Sequence, residues 1–182
     1  DYFAEADYID SLIKGYSQNV KTILDLGCGT GKHDVLLCDK GYTVHGVDIS
    51  KEMLEVAESR RKDKKDKLTF SQSDITQLYL NQKFDTAVSL FHVMSYQSTN
   101  AALDKVFANV RDHLNEGGLF IFDFWYGPAV LTDLPKTTIK RLENEHIKVT
   151  RIAESKIHAQ LNTVDVNFNI FVTKKEDGTS IE

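Results

Sequence analysis

An apolar strand that leads directly into alternating glycines is the feature of this sequence that most constrains its fold. The mostly apolar segment 23–26 precedes Gly27, Gly29 and Gly31, and a helical pattern follows at once. Glycines allow a sharp bend and let a ligand approach the backbone without a Cβ in the way. A helix that begins there offers free N–H groups and positive potential to a carboxylate or phosphate. The pattern predicts a strand–turn–helix unit that binds a ligand.

An acidic residue at the end of the second predicted strand narrows the choice of ligand. Asp48 stands nineteen residues after Gly29, where a carboxylate can accept hydrogen bonds from both hydroxyls of a ribose. A dinucleotide site favours Gly-x-Gly-x-x-Gly, whose third glycine would fall on Lys32. Asp25, just before the glycines, suits a ligand with an ammonium group better than a pyrophosphate. We therefore predict a nucleoside-containing ligand across the strand ends.

Strand and helix patterns alternate up to the two prolines of the chain, Pro128 and Pro135. Apolar strands that alternate with helices favour a parallel sheet covered on both faces. The predicted fold class is α/β, a Rossmann-like doubly wound, mostly parallel sheet flanked by helices. The predicted strands are 20–26, 42–47, 68–70, 84–90 and 119–123. The predicted helices are 2–16, a short helix through 35–37, a helix that begins after Ser50, and a helix over 99–114 that the residues 115–118 end.

The pattern changes after Pro135 to strict alternation of apolar and polar residues. An apolar face formed by Val164, Val166, Phe168, Ile170 and Val172 predicts a half-exposed antiparallel strand. We expect that face to be buried, on this domain or in a homodimer. Further short strands are predicted around 147–152 and 155–160, with a turn at Asn162. The predicted domains are a cofactor-binding core, 1–135, and an antiparallel β extension, 136–182.

The last residues predict a hairpin that is cut short. The run 175–179 contains Asp177-Gly178, a pair that suits a turn with positive φ, and only residues up to Glu182 remain for the second arm. We therefore expect the chain to be a fragment, with its sheet truncated after the fifth strand.

Composition removes several classes of protein. The formal net charge of −5 argues against a broad nucleic-acid surface. There is no apolar run of about 18 residues for a membrane span, and residues 1–5 do not resemble a signal peptide. Cys28 and Cys38 are too few for a disulfide framework or a four-thiolate zinc site, and no cluster suggests another metal. We expect a cytoplasmic enzyme without metal, membrane or nucleic-acid partners.

The run Asp-Leu-Gly-Cys-Gly-Thr-Gly at 25–31, with Asp48 downstream, resembles the class I S-adenosylmethionine-dependent methyltransferases over residues 20–125. The resemblance implies S-adenosylmethionine as cofactor, with the glycine loop at its methionine part and Asp48 at its ribose. It also implies that Asp74 lies near the adenine amine and that Ile75 packs against the adenine ring. For Asp74, a role as a helix N-cap stays open. The expected cofactor-binding residues are Tyr2, Asp25, Gly27, Cys28, Gly29, Gly31, Asp48, Ile49, Asp74, Ile75 and Phe91.

A finer resemblance concerns the segments 1–6 and 122–126 and the antiparallel strands, which are similar to small-molecule N-methyltransferases of the amino-sugar type. This resemblance implies that Tyr2 lies by the cofactor and that the antiparallel strands shape the acceptor site and contribute to homodimer contacts. A histidine near the acceptor in that subfamily falls on Tyr96, whereas this chain has His92 four residues earlier. We take His92 as the candidate base and Tyr96 as a residue that orients or deprotonates an amine.

The predicted function is transfer of a methyl group to a small-molecule amine or hydroxyl by in-line displacement. Three alternatives stay open: a methyltransferase-like module that binds the cofactor without turnover, an NAD-dependent oxidoreductase, which Lys32 disfavours, and RNA or DNA methylation. The charge and the absence of Asn/Asp-Pro-Pro-Tyr/Phe after the fourth strand argue against nucleic acid.

Overall fold

A computed structural model describes residues 1–17, 19–176 and 180–181 of the chain. The helices are α1 (Tyr2–Tyr16), α2 (Lys32–Asp39), α3 (Lys51–Arg61), α4 (Asn100–His113) and α5 (Gly127–Thr132). The strands are β1 (Thr22–Leu26), β2 (Thr43–Asp48), β3 (Leu68–Gln72), β4 (Phe84–Ser89), β5 (Leu114–Phe122), β6 (Thr138–Glu143), β7 (Ile147–His158), β8 (Thr163–Lys174) and β9 (Ser180–Ile181). Short 3₁₀ helices cover Lys62–Lys64, Ile75–Gln77, Val93–Tyr96 and Ala159–Leu161.

The first five strands form one parallel sheet in the order β3-β2-β1-β4-β5. The chain divides into two compact units, Asp1–Phe124 and Trp125–Glu182. The boundary between them lies eleven residues before the predicted one at 135, so that α5 belongs to the second unit. The predicted α/β class, a parallel sheet flanked by helices followed by antiparallel strands, is confirmed.

Helices cover both faces of the parallel sheet because successive strand residues point to opposite sides. Ile23 packs with residues of α1 and α2, including Ile9 and Leu37. Its neighbour Leu24 packs in a second cluster that includes Val106 of α4. The two clusters place one core on each side of the sheet, as the near-continuous apolar strands predicted.

The start of α3 confirms the predicted cap. The Ser50 hydroxyl accepts a hydrogen bond of 3.1 Å from the Met53 amide, which satisfies one of the free N–H groups at the helix end. This cap matters for the site because it fixes where β2 ends and the helix begins, immediately after Asp48.

The fifth strand is longer than predicted. The run 115–118 was expected to end α4, but β5 begins at Leu114 and includes both of its glycines. The register shifts between Phe84 and Thr86 of β4, which pair with Leu114 and Leu119. A bulge absorbs the extra residues, and its glycine at 117 has φ +75°, so the turn-like composition marks an irregularity inside a strand.

The second unit is an antiparallel sheet in the order β6-β7-β8-β9. Two short strands were predicted over 147–160, but a single strand, β7, runs to His158, and β6 was not predicted at all. Asn162 adopts φ +52° in the turn before β8, as its predicted turn position requires. On the predicted apolar face, Phe168 and Ile170 are about half exposed. The hairpin predicted from 175–179 has its residues 177–179 outside the described ones, whereas its arms pair, Val172 of β8 with Ile181 of β9 and Thr173 with Ser180.

Within the described residues, no helix is long and apolar enough to cross a lipid bilayer.

Candidate functional site

The carboxyl ends of β1, β2 and β4 meet at one edge of the parallel sheet. The strand order reverses between β1 and β4, and ligands of open α/β sheets bind outside the carboxyl ends at such a point. The glycine loop follows β1, and the loop that carries His92 follows β4. Ser89 at the end of β4 donates a hydrogen bond of 3.0 Å to the carbonyl of Leu26 and so ties the two strand ends together.

The three glycines of the loop all have left-handed backbones, with φ of +82°, +54° and +68° at Gly27, Gly29 and Gly31. A Cβ on Gly27 would lie 2.6 Å from a methyl carbon of Val93. A Cβ at Gly29, in contrast, would meet nothing within 4 Å. Packing therefore requires glycine at 27, whereas the space beside Gly29 is free for a ligand that approaches the backbone.

Asp48 is held in place by the same loop. Its Oδ2 accepts a hydrogen bond of 2.8 Å from the Gly29 amide, and its Oδ1 accepts one of 2.9 Å from the Ser50 amide. An ionised carboxylate has about four acceptor positions, so about two remain for ribose hydroxyls. From the other side, Arg60 donates to the carbonyl of Thr30 at 2.6 Å. The loop and the acid predicted to hold the ribose thus form one pre-organised unit.

Asp25 lies at the base of the glycine loop and is almost completely buried, with 2% of its surface exposed. Its Oδ1 has no well-formed hydrogen bond among the described residues. Burial raises the pKa of Asp25 well above its usual value, and the nearby Asp34 and Asp48 raise it further. An unsatisfied buried acceptor calls for a donor, and the ammonium group of the predicted cofactor is such a donor.

Three aromatic rings stand together beside the loop. The Tyr2 ring lies 5.0 Å from that of His33 and 5.5 Å from that of Phe91, and the His33 and Phe91 rings are 5.4 Å apart. Glu5 contacts His33 Nε2 at 2.9 Å, which lowers the pKa of the Glu5 carboxyl. The structure thus brings the predicted Tyr2 and Phe91 together around a histidine that sequence reasoning missed, although its position two residues after Gly31 was a usable signal.

The remaining predicted cofactor residues occupy different environments. Ile49 follows Asp48 and is 68% exposed, so it offers an apolar surface at the sheet edge. Asp74 caps the 3₁₀ helix that follows it, since its Oδ1 accepts from the Thr76 amide at 2.8 Å. Ile75 is buried in the core and leaves little surface for adenine. Burial raises the pKa of the Cys28 thiol, which keeps that side chain neutral inside the loop.

The candidate base has a partner that was not predicted. His92 Nδ1 lies 3.2 Å from Asp123 Oδ2, and the His92 amide donates to Asp123 Oδ1 at 2.8 Å. His92 and its neighbour Phe91 both have φ +62°, an unusual backbone for side chains other than glycine. A carboxylate that orients an imidazole is an arrangement found in general bases. Tyr96 lies at the end of the same loop with its side chain 80% exposed.

Comparison with known proteins agrees with this geometry. A family model described as a methyltransferase domain matches residues 23–118. A dTDP-3-amino-3,4,6-trideoxy-alpha-D-glucopyranose N,N-dimethyltransferase from Streptomyces venezuelae is 27% identical over 93% of this chain and 70% of its own length. A dTDP-3-amino-3,6-dideoxy-alpha-D-glucopyranose N,N-dimethyltransferase from Streptomyces fradiae is 25% identical over 92% of this chain and 64% of its own length.

The fold has solved counterparts as well. A crystal structure of an S-adenosylmethionine-dependent methyltransferase from Clostridium acetobutylicum superposes with a TM-score of 0.81 and 27% identity, covering 100% of this chain and 72% of that one. These matches set aside the nicotinamide dinucleotide alternative. The curated relatives described above are longer, since the chain spans 64% to 70% of their lengths. The orphaned Asp25, the open Gly29 and the anchored Asp48 fit the same cofactor, and the chain belongs to the S-adenosylmethionine-dependent methyltransferase domain family.

Proposed function

We propose that this protein methylates the amine nitrogen of a small molecule of the nucleotide-linked amino-sugar class. The observation that carries the proposal is the His92–Asp123 pair, with 3.2 Å between Nδ1 and Oδ2, at the sheet edge where the glycine loop ends. The names of the relatives from Streptomyces support the acceptor class, since both act on dTDP-linked amino sugars.

The residues act mainly by placing the reactants. When bound, S-adenosylmethionine supplies a methyl group that is already activated by its sulfonium charge. An amine must be neutral to attack, so His92 accepts a proton from the acceptor's ammonium group and leaves the nitrogen lone pair free. Asp123 orients the imidazole. Alignment of the reactants can contribute about 7–11 kcal/mol in well-oriented systems, which makes positioning the larger share of the catalysis.

The ring cluster beside the loop supports this mechanism. Tyr2 and Phe91 present ring faces near the strand ends, and the Lys32 ammonium already lies 4.4 Å from the Tyr2 ring centroid. Aromatic faces attract cations, so these rings favour a sulfonium or an ammonium acceptor.

The acceptor is tested with labelled S-adenosylmethionine and pairs of sugar nucleotides that differ only in carrying an amino or a hydroxyl group at the same carbon. We expect label in the amino member of a pair, and mass spectrometry then counts the methyl groups. Label only in the hydroxyl member would contradict an amine acceptor. Binding of S-adenosylhomocysteine without transfer to any acceptor would instead identify a binding module.

We also propose that the protein forms a homodimer through the antiparallel sheet. The exposed Phe168 and Ile170 support this contact, because exposed apolar patches of this kind mark association surfaces. A cytoplasmic location remains a prediction.

A further inference from the structure

Two buried acids under the glycine loop lack the partners that buried charges require. Asp34, in the first turn of α2, is 0% exposed, and neither of its side-chain oxygens has a well-formed hydrogen bond. Asp25 Oδ1 is also buried without a well-formed hydrogen bond. The other acids of the parallel-sheet unit that approach backbone amides, such as Asp85, are satisfied by them. Burying an unpaired carboxylate is costly, so the pair needs another source of stabilisation.

The two acids satisfy each other only if one proton lies between them. Their side chains lie close enough for Asp34 to raise the pKa of Asp25 and for Asp25 to lower that of Asp34. Two ionised carboxylates at such a distance repel each other, and one of them therefore keeps its proton. Burial raises the pKa of Asp34 to about 7, and burial together with Asp34 raises that of Asp25 well above its usual value.

Within the part of the chain that the structure describes, no basic side chain is among the groups that act on the pair. The groups that act on the pair are Asp48 at the end of β2, Cys28 in the glycine loop and Cys38 further along α2. Burial raises the pKa values of both thiols, so both stay neutral. His33, next to Asp34 in the chain, contacts Glu5 of α1 instead. Among the described residues, the side chains that act on the pair are therefore acidic or neutral, while the positive potential at the N-terminus of α2 favours Asp34 as the carboxylate of the pair.

We propose that Asp25 and Asp34 share one proton in the cofactor-free protein and that arrival of the cofactor's ammonium group at Asp25 releases this proton. In the free protein above about pH 7, the value at which Asp34 loses its own proton, Asp25 is the carboxylic acid and Asp34 the carboxylate. On binding, the O–H bond of Asp25 breaks, its proton passes to the buffer, and the ammonium group takes over as the donor. Asp34 then acts as a positioning residue, because it decides the charge that Asp25 offers to the cofactor.

Proton release is measurable by calorimetry without any methyl transfer. S-adenosylhomocysteine, which carries the same ammonium group, is titrated into the full chain in phosphate and in imidazole, two buffers with different ionisation enthalpies. At about pH 8, above the value of about 7 for Asp34, we expect the heats to differ by the equivalent of about one proton released per ligand bound. Because binding releases a proton, the dissociation constant decreases as the pH rises.

Two variants of α2 distinguish proton release by the Asp25–Asp34 pair from the effect of removing any negative charge on that helix. In Asp34→Asn, the new amide donates to Asp25 and holds it ionised, so release at the same pH drops well below the wild-type value. Asp39→Asn, an exposed residue at the end of α2, leaves the release unchanged. Equal heats in both buffers for the wild type, or the same release in Asp34→Asn, would overturn the proposal. If S-adenosylhomocysteine does not bind at all, both this proposal and the cofactor assignment are wrong. None of these results bears on the identity of the methyl acceptor.

Discussion

Asp48 Oδ2 accepts a hydrogen bond of 2.8 Å from the backbone amide of Gly29, although nineteen residues separate them. The carboxylate that is predicted to bind the ribose therefore also anchors the glycine loop. Binding and loop conformation are coupled through one side chain, which explains why the two sequence features stand in a fixed spatial relation.

Asp48→Ala should weaken S-adenosylhomocysteine binding by about 1.5–3 kcal/mol, because hydrogen bonds to a charged group are lost. Part of the loss comes from the Gly29 amide, which is left without its acceptor. Isothermal titration calorimetry measures the change, and Asp66→Ala, an exposed acid before β3, serves as the control with wild-type affinity. Unchanged affinity in Asp48→Ala would remove this residue from the site.

Gly29→Ala should reduce cofactor affinity far more than it reduces folding stability. The new methyl group meets no protein atom within 4 Å, so the folding cost is the left-handed backbone alone, about 1–2 kcal/mol. The same methyl group occupies the space through which the ligand reaches the loop. Calorimetry and thermal unfolding give the two quantities.

Gly15→Ala provides the comparison for that variant. Gly15 lies inside α1 with open space around it, so alanine there should stabilise the fold by about 0.5–1 kcal/mol and leave binding unchanged. If Gly29→Ala instead bound S-adenosylhomocysteine as tightly as the wild type, the ligand would not occupy the space beside Gly29.

Asp123→Asn should lower kcat with little change in the KM of the acceptor. The asparagine carbonyl can still accept from the His92 amide, while its NH₂ group now faces Nδ1. This contact forces the imidazole proton onto Nε2 and blocks that nitrogen as a base.

His92→Gln removes the proposed base itself, so it should lower kcat at least as much as Asp123→Asn does. We expect a loss of about 10²-fold in kcat, which is typical of removing a general base. S-adenosylhomocysteine affinity should stay near the wild-type value in both variants. A KM effect without a kcat effect would assign His92 and Asp123 to acceptor binding alone.

Local patterns were sufficient to predict the parallel sheet and its glycine loop. The signals for β1, the loop and Asp48 lie within one short segment, and each has a physical reason that needs no distant residue. β6 was not predicted because 138–143 is exposed on all its residues and has no strong apolar alternation.

The partners of the predicted site residues required the fold itself. Asp123 lies thirty-one residues after His92, and only the parallel pairing of β4 and β5 brings their ends together. Asp34 resembles an ordinary acid in the first turn of a helix, and its burial beside Asp25 cannot be inferred from spacing. Ile75 was predicted at the ligand because it follows Asp74, but the 3₁₀ helix turns its side chain into the core.

Ile170→Lys should convert a homodimer into monomers. Ile170 lies on the apolar face of β8 and is 46% exposed, so a lysine there is tolerated by the single chain but not by an apolar contact between two copies. Asn167→Lys, on the opposite face of the same strand and across from Glu154, is the matched control that keeps the dimer. Sedimentation equilibrium gives the masses, and a monomeric wild-type protein would contradict the proposed contact.

Asp34→Asn should stabilise the cofactor-free protein, and more so as the pH rises. A carboxyl whose pKa is raised from 3.8 to about 7 by burial binds more protons in the folded than in the unfolded state. Wild-type stability therefore declines as the pH increases through that interval, because folding then requires either proton uptake or a buried charge. Asparagine carries no charge to bury, so the variant escapes this decline.

Urea unfolding at about pH 5 and about pH 8 measures the free energy of unfolding of the variant and the wild type. The two proteins should differ little at the lower pH and more at the higher pH. The exposed Asp39→Asn change should shift stability by the same small amount at both, and a pH-independent difference for Asp34→Asn would mean that Asp34 is not protonated at about pH 5 when the folded protein is free of cofactor.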